Sequence, residues 1–78
     1  MYFVYVLSSL HRNYIYVGIT DNAERRIAQH NKGYEKTTRP YAPFKVVVIE
    51  EYATRIEARK REKYLKSGTG KEYLKTLL

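Results

Sequence analysis

The sequence predicts a small α+β domain: a three-stranded antiparallel sheet with three helices, in the order β-β-α-β-α-α. Three observations lead there. Residues 2–8 (YFVYVLS) and 13–20 (NYIYVGIT) are rich in β-branched and aromatic side chains and flank a short polar turn. Phe44–Tyr52 contains an unbroken β-branched run, Val46-Val47-Val48-Ile49. The segments after the second and third strands change to a helical period and open on capping residues.

The elements follow in order. Residues 2–8 are apolar or aromatic on both faces, which suits a strand with something packed on each side. Residues 9–12 turn the chain. In 13–20 the period is two, with Ile15, Val17 and Ile19 on one face and Tyr14, Tyr16, Gly18 and Thr20 on the other. A hairpin closed with Ser8 opposite Asn13 sets Tyr5 opposite Tyr16 and Phe3 opposite Gly18. Gly18 leaves space on that face, either for the close approach of a backbone or ligand or to admit a helix or Phe3. Residues 21–31 read as a helix, with Asp21 as N-cap, Glu24 completing a capping box and Gly33 at the stop. One helix face carries Ala23, Arg26, Ile27 and His30 at i, i+3, i+4 and i+7. Arg26 and His30 either snorkel from the edge of that stripe to water or belong to a site.

The stretch 34–43 (YEKTTRPYAP) is a loop, since two prolines and paired threonines oppose regular structure. Phe44–Tyr52 is the third strand, expected to be buried on both faces. Thr54 with Glu57 caps a second helix, Arg55–Lys66. Its inward line is Ala58, Glu62 and Leu65, so Glu62 stands apart from the surface charges. Residues 67–70 break the helix, and 71–78 form a short last one, with Tyr73, Leu74, Leu77 and Leu78 as its apolar contacts. The chain has no repeat and no linker, and reads as a single domain over residues 1–78.

With 78 residues the core is thin and must be compact. No cysteine excludes disulfides and thiolate metal sites, and two histidines leave little for structural zinc. No apolar run is long enough to span a membrane, and the start alternates like a strand rather than a signal peptide. A soluble, cytoplasmic monomer is expected. Fifteen basic against eight acidic residues give a formal charge of +7, which points to a polyanion, most simply nucleic acid. Arg25, Lys32, Lys36, Thr38, Arg39, Arg59, Lys60 and Lys63 are the candidate contacts, being types that bind phosphate. Such binding is sequence-tolerant and weakens with salt.

Taken together, Val4-Tyr5-Val6, then Tyr16-Val17-Gly18, then Arg26, His30 and a glutamate in a later basic helix, resemble the GIY-YIG nuclease domain. In that family one tyrosine-centred triplet lies on each of the first two strands. An arginine follows the second tyrosine by ten residues and a histidine comes four later, spacings that Arg26 and His30 match. The metal-binding glutamate of the family lies in a helix after strand three, where Glu62 stands in ARKREKYLK. The likeness runs from Met1 to about Leu77, and TTRPYAP is similar to a loop of the short stand-alone bacterial members. Two departures are visible. The first triplet lacks its glycine and isoleucine, and no asparagine follows Asn31.

The resemblance implies a metal-dependent endonuclease acting on nucleic acid, DNA rather than RNA. Its site would be Tyr5, Tyr16, Arg26 and His30, with one divalent ion, Mg²⁺ or Mn²⁺, on Glu62. The chemistry agrees. Arg26 can brace a phosphate oxygen with two donors. His30 can donate to the phosphate or move a proton. Tyr5 or Tyr16 can act on the attacking water, and the sequence leaves open which. The alternative is a nucleic-acid-binding module that keeps the fold without efficient cleavage.

Overall fold

The computed structural model describes residues 1–78. Strands β1 (Tyr2–Ser9), β2 (Ile15–Thr20) and β3 (Phe44–Tyr52) form one antiparallel sheet in the order β2-β1-β3. Helix α1 (Ala23–Asn31) follows β2, and α2 (Arg55–Lys66) and α3 (Gly68–Lys75) follow β3. The element order is the expected one. A single 3-10 turn, Arg39–Tyr41, interrupts the loop before β3. No helix is long and apolar enough to cross a membrane.

β1 is the central strand, covered on both faces, and Val4, Tyr5, Val6 and Leu7 are all buried. Period-two alternation divides its side chains between two cores. On one face Val4, Val6 and Val17 pack with Ala58 and Leu65 of α2 and Leu74 of α3. On the other, Tyr5, Leu7 and Phe44 pack with Tyr14, Tyr16, Ile27 of α1 and Tyr41 of the loop.

The hairpin register differs from the expected one by two residues. Tyr5 faces Gly18 and Leu7 faces Tyr16. The reason is a longer turn: β1 runs to Ser9, whose hydroxyl accepts from the backbone N–H groups of His11 and Arg12. A two-residue slip keeps every side chain on its face, so the tyrosines still share one side.

β3 is an edge strand, against the expectation of burial on both faces, and Val46 and Ile49 are about half exposed at 46% and 49%. Its β-branched run satisfies strand propensity without requiring cover. Asn22, rather than Asp21, caps α1: its Oδ1 accepts from Arg25 N at 3.1 Å, while Asp21 pairs with the Arg25 guanidinium. Thr54 caps α2 as expected, its Oγ1 accepting from Glu57 N, but the Glu57 carboxylate accepts from the Thr54 hydroxyl rather than from its backbone N–H, so the box is not completed.

α3 begins earlier than its sequence suggests. Ser67 ends α2 and caps α3 through Gly70 N, so Gly68 and Gly70 open a helix and do not break one. Of the apolar contacts expected from this helix, only Leu74 is buried; Tyr73, Leu77 and Leu78 remain exposed. Gly70 is where the two helices close on each other. A Cβ there would meet Tyr64 O at 2.0 Å and Leu65 Cα at 2.5 Å, whereas one on Gly68 would meet nothing. Gly70→Ala should therefore destabilise the fold by about 1–3 kcal/mol, the usual cost of overpacking. Gly68→Ala should be neutral or stabilise by up to about 1 kcal/mol through the unfolded chain. Urea denaturation of both variants measures the contrast, and equal effects would contradict this account of the helix contact.

Candidate active site

The stripe on α1 turns inward. His30 is fully buried, with Nε2 3.0 Å from Tyr5 Oη and Nδ1 2.8 Å from Thr38 Oγ1. Tyr5 and Thr38 are each 1% exposed, so a three-member hydrogen-bond chain runs through the interior from β1 through α1 to the loop. Burial, and then the nearby Arg26 guanidinium, push the imidazole below its ordinary range, against a smaller opposing pull from Glu35. His30 is thus neutral, with one ring nitrogen donating and the other accepting. The snorkelling alternative fails for His30.

Gly18 makes this arrangement possible. A Cβ at that position would lie 2.5 Å from Tyr5 Cζ and Oη and 2.8 Å from Tyr16 Cε2. The space left by the glycine is filled by the two phenols, not by Phe3 or a backbone. The ring centroids of Tyr5 and Tyr16 are 6.0 Å apart, and Tyr16 and His30 are 4.7 Å apart. Burial, and then the Tyr16 phenol, push the Tyr5 hydroxyl well above its ordinary range, although Arg26 opposes this. Tyr5 is therefore held protonated. Tyr16 is half-buried and keeps access to solvent.

Arg26 closes the group at its rim, with its side chain 30% exposed. Its Nη1 donates to Gln29 Oε1 at 3.0 Å and to Glu35 Oε1. The Glu35 hydrogen bond chiefly raises the guanidinium, and Arg26 in turn holds the Glu35 carboxyl below its usual range. Glu35 escaped the sequence reading. It is the sole acid of the loop 34–43, and no periodicity links a loop residue to a helix.

The structure thus brings Tyr5, Tyr16, Arg26 and His30 together on one sheet face. Glu62 lies elsewhere. Its neighbours Ala58 and Leu65 pack on the Val4, Val6 and Val17 face, and Glu62 makes no hydrogen bond to the other four. It is 5% exposed, with Oε1 accepting from Arg59 at 3.2 Å and Oε2 from Lys66 at 3.3 Å. β2, which carries Tyr16, is an edge strand. No group of three His, Cys, Asp or Glu residues forms a metal cluster.

The candidate nucleic-acid contacts divide as well. Arg25, Lys32, Lys36 and Arg39 are exposed on the α1 side. Arg59, Lys60 and Lys63 line a shallow groove with Arg55 and Ile56 on α2, across the sheet. Thr38 is a correction: its hydroxyl is turned inward onto His30 and is not available to a phosphate.

Comparison with known proteins accords with this geometry. The family described as "GIY-YIG catalytic domain" matches residues 1–75, and the chain belongs to that family. Its relatives are small UPF0213 proteins from bacteria and archaea. One from Clostridium perfringens is 37% identical over 78 residues, covering 99% of this chain and 83% of the relative. One from Natronomonas pharaonis is 39% identical over 67 residues, covering 85% and 78%. One from Listeria welshimeri is 42% identical over 62 residues, covering 78% and 68%. No solved structure matches.

Removing the hydroxyl of Thr38 while keeping its shape isolates the buried chain. Thr38→Val leaves His30 Nδ1 without a partner and should cost about 1–3 kcal/mol, the penalty of an unsatisfied buried polar group. Thr38→Ser keeps the hydroxyl and should lose less. Denaturant titration decides, and a Thr38→Val variant as stable as the parent would contradict the assignment.

Proposed function

We propose that this chain is an endonuclease that hydrolyses DNA phosphodiester bonds with one divalent cation, Mg²⁺ or Mn²⁺, and little intrinsic sequence preference. The family is a nuclease family. The observation that carries the reading is the split within the tyrosine–arginine–histidine group. Tyr5 and His30 are buried and locked to each other, while Tyr16 and Arg26 beside them are only partly buried.

That split assigns the work. Arg26 braces a non-bridging phosphate oxygen, where a fixed donor stabilises charge in the transition state. The Glu35 carboxylate already occupies one guanidinium N–H, and an arriving phosphate competes for it. Tyr16 orients the attacking water through its hydroxyl, and the proton that the water loses passes to solvent. The water oxygen bonds to phosphorus, the ester P–O bond breaks, and the leaving oxygen takes up a proton from solvent water. Tyr5 and His30 are positioning residues: the hydrogen bond between them fixes the wall against which Tyr16 rests.

Glu62 is the residue that would hold the cation. A single hard carboxylate suits Mg²⁺ or Mn²⁺, which keep most of their waters and need few protein ligands. Arg59 and Lys66, with side chains 56% and 55% exposed, can swing into water to free it. When bound, the cation supplies Lewis-acid polarisation of a phosphate oxygen. The second reading, a binding module without efficient cleavage, is favoured by those same two pairs, which already neutralise the carboxylate.

Nicking of supercoiled plasmid with Mg²⁺ or Mn²⁺, and with a chelator, tests the proposal. Tyr16→Phe and Glu62→Ala should each lower the rate about 100-fold or more while circular dichroism and DNA binding hold. Tyr5→Phe should act mainly on stability. Wild-type binding without nicking selects the second reading, and wild-type-like nicking by Glu62→Ala removes the metal-ligand role.

A further inference from the structure

Beside Tyr16 lies an aromatic stack that the hydrolysis does not use. Tyr14, two residues before Tyr16, stacks on Tyr41 with ring centroids 3.8 Å apart and planes 8° from parallel. Tyr14 is anchored from below by Phe44, at 6.3 Å and 51°. The Arg12 guanidinium stands over the Tyr41 ring, 5.9 Å from its centroid. Since Tyr14 fills one face of Tyr41, the cation takes the other. The series Phe44, Tyr14, Tyr41, Arg12 therefore climbs from the core to the solvent.

The stack is held rigidly and is tied to the site. Tyr41 O accepts from the Ser9 hydroxyl at 2.6 Å, and Tyr41 N donates to Thr38 O at 2.9 Å. Thr38 is the residue that grips His30. Burial, and then the neighbouring Tyr16 phenol, push the Tyr14 hydroxyl above its ordinary range, which places the stack beside Tyr16. At its open end the stack shows a flat π-face, the exposed Arg12 cation and, on the adjoining turn, exposed Arg39. A flat heteroaromatic ring fits between Tyr41 and Arg12 once Arg12 swings outward. A phosphate linked to that ring would lie among the basic residues of the same side.

We propose that the outer face of Tyr41 is a nucleobase-stacking platform that takes an unpaired base next to the scissile phosphate, so that the substrate class is single-stranded or locally unpaired DNA. The proposal rests on reading Tyr16 and Arg26 as the phosphodiester site. A base inside a duplex is already stacked on both sides and offers no free face. An unpaired base does, and base–aromatic stacking tolerates any sequence.

The test is fluorescence anisotropy on three labelled probes: a single-stranded oligonucleotide, the same strand with abasic sites in place of its bases, and the matching duplex. The proteins are wild type, Tyr41→Ala and Tyr41→Trp. Wild type should bind the single strand about fivefold or more tighter than the abasic strand, the lower bound for one stacked base. Tyr41→Ala should lose that ratio while still binding the abasic strand. Tyr41→Trp should keep it, and its single indole should be quenched by the single strand but not by the abasic one. Equal wild-type affinity for the single and abasic strands overturns the platform and leaves the phosphodiester reading standing. So does a Tyr41→Ala variant that keeps the ratio. Absence of binding to all three probes overturns both.

Discussion

The hydrogen-bond chain Tyr5–His30–Thr38 is the constraint on which the rest depends. Three polar side chains are taken almost wholly out of water, which is costly unless each finds a partner. Each does, and no buried side-chain nitrogen or oxygen in the molecule is left unpaired. The chain links the central strand, the first helix and the following loop. Gly18 is its counterpart on β2, since any side chain there would collide with the phenols. Burial keeps Tyr5 protonated and His30 neutral, while Tyr16 and Arg26 stay partly exposed.

The sheet separates two sets of chemistry. The α1 side holds the phenols, the arginine with its glutamate partner, and the Tyr14–Tyr41 stack. The α2 side holds a buried carboxylate between two exposed cations, and a basic groove. A carboxylate with little exposure and flexible cationic partners differs from an ordinary surface ion pair: the pairing offsets a desolvation cost that a solvated glutamate never meets.

Local patterns were legible in the sequence, and long-range ones were not. The bounds of β3 and α2, and the Thr54 cap, follow from residues adjacent in sequence. So does the inward stripe of α1, because helical spacing alone aligns Ala23, Arg26, Ile27 and His30. The hairpin register depended on turn length, and Ser9 lengthened the strand by bonding into its own turn. Nothing in Val46–Ile49 says that β3 lies at an edge, because that follows from β1 taking both neighbours. Gly70 reads as a helix breaker until α2 is seen against it. Thr38 and Glu35 sit in a loop without period, and only the folded chain shows that one faces His30 and the other Arg26.

The state of His30 tests this account most directly. An imidazole whose folded value is depressed below its ordinary 6.5 binds its proton more readily in the unfolded chain. Stability is then full above that pH and falls as the pH drops below it, until the folded value is passed. Nitrogen-15 NMR of the imidazole rings reads the protonation itself. The chain has only His11 and His30, and His11 is exposed on the β1–β2 turn, so the two are readily told apart. The account predicts that at pH 6.5, where an unperturbed imidazole is half charged, His30 is mostly neutral and in a single tautomer. A His30 ring that is charged at that pH, or that exchanges between tautomers, would contradict it.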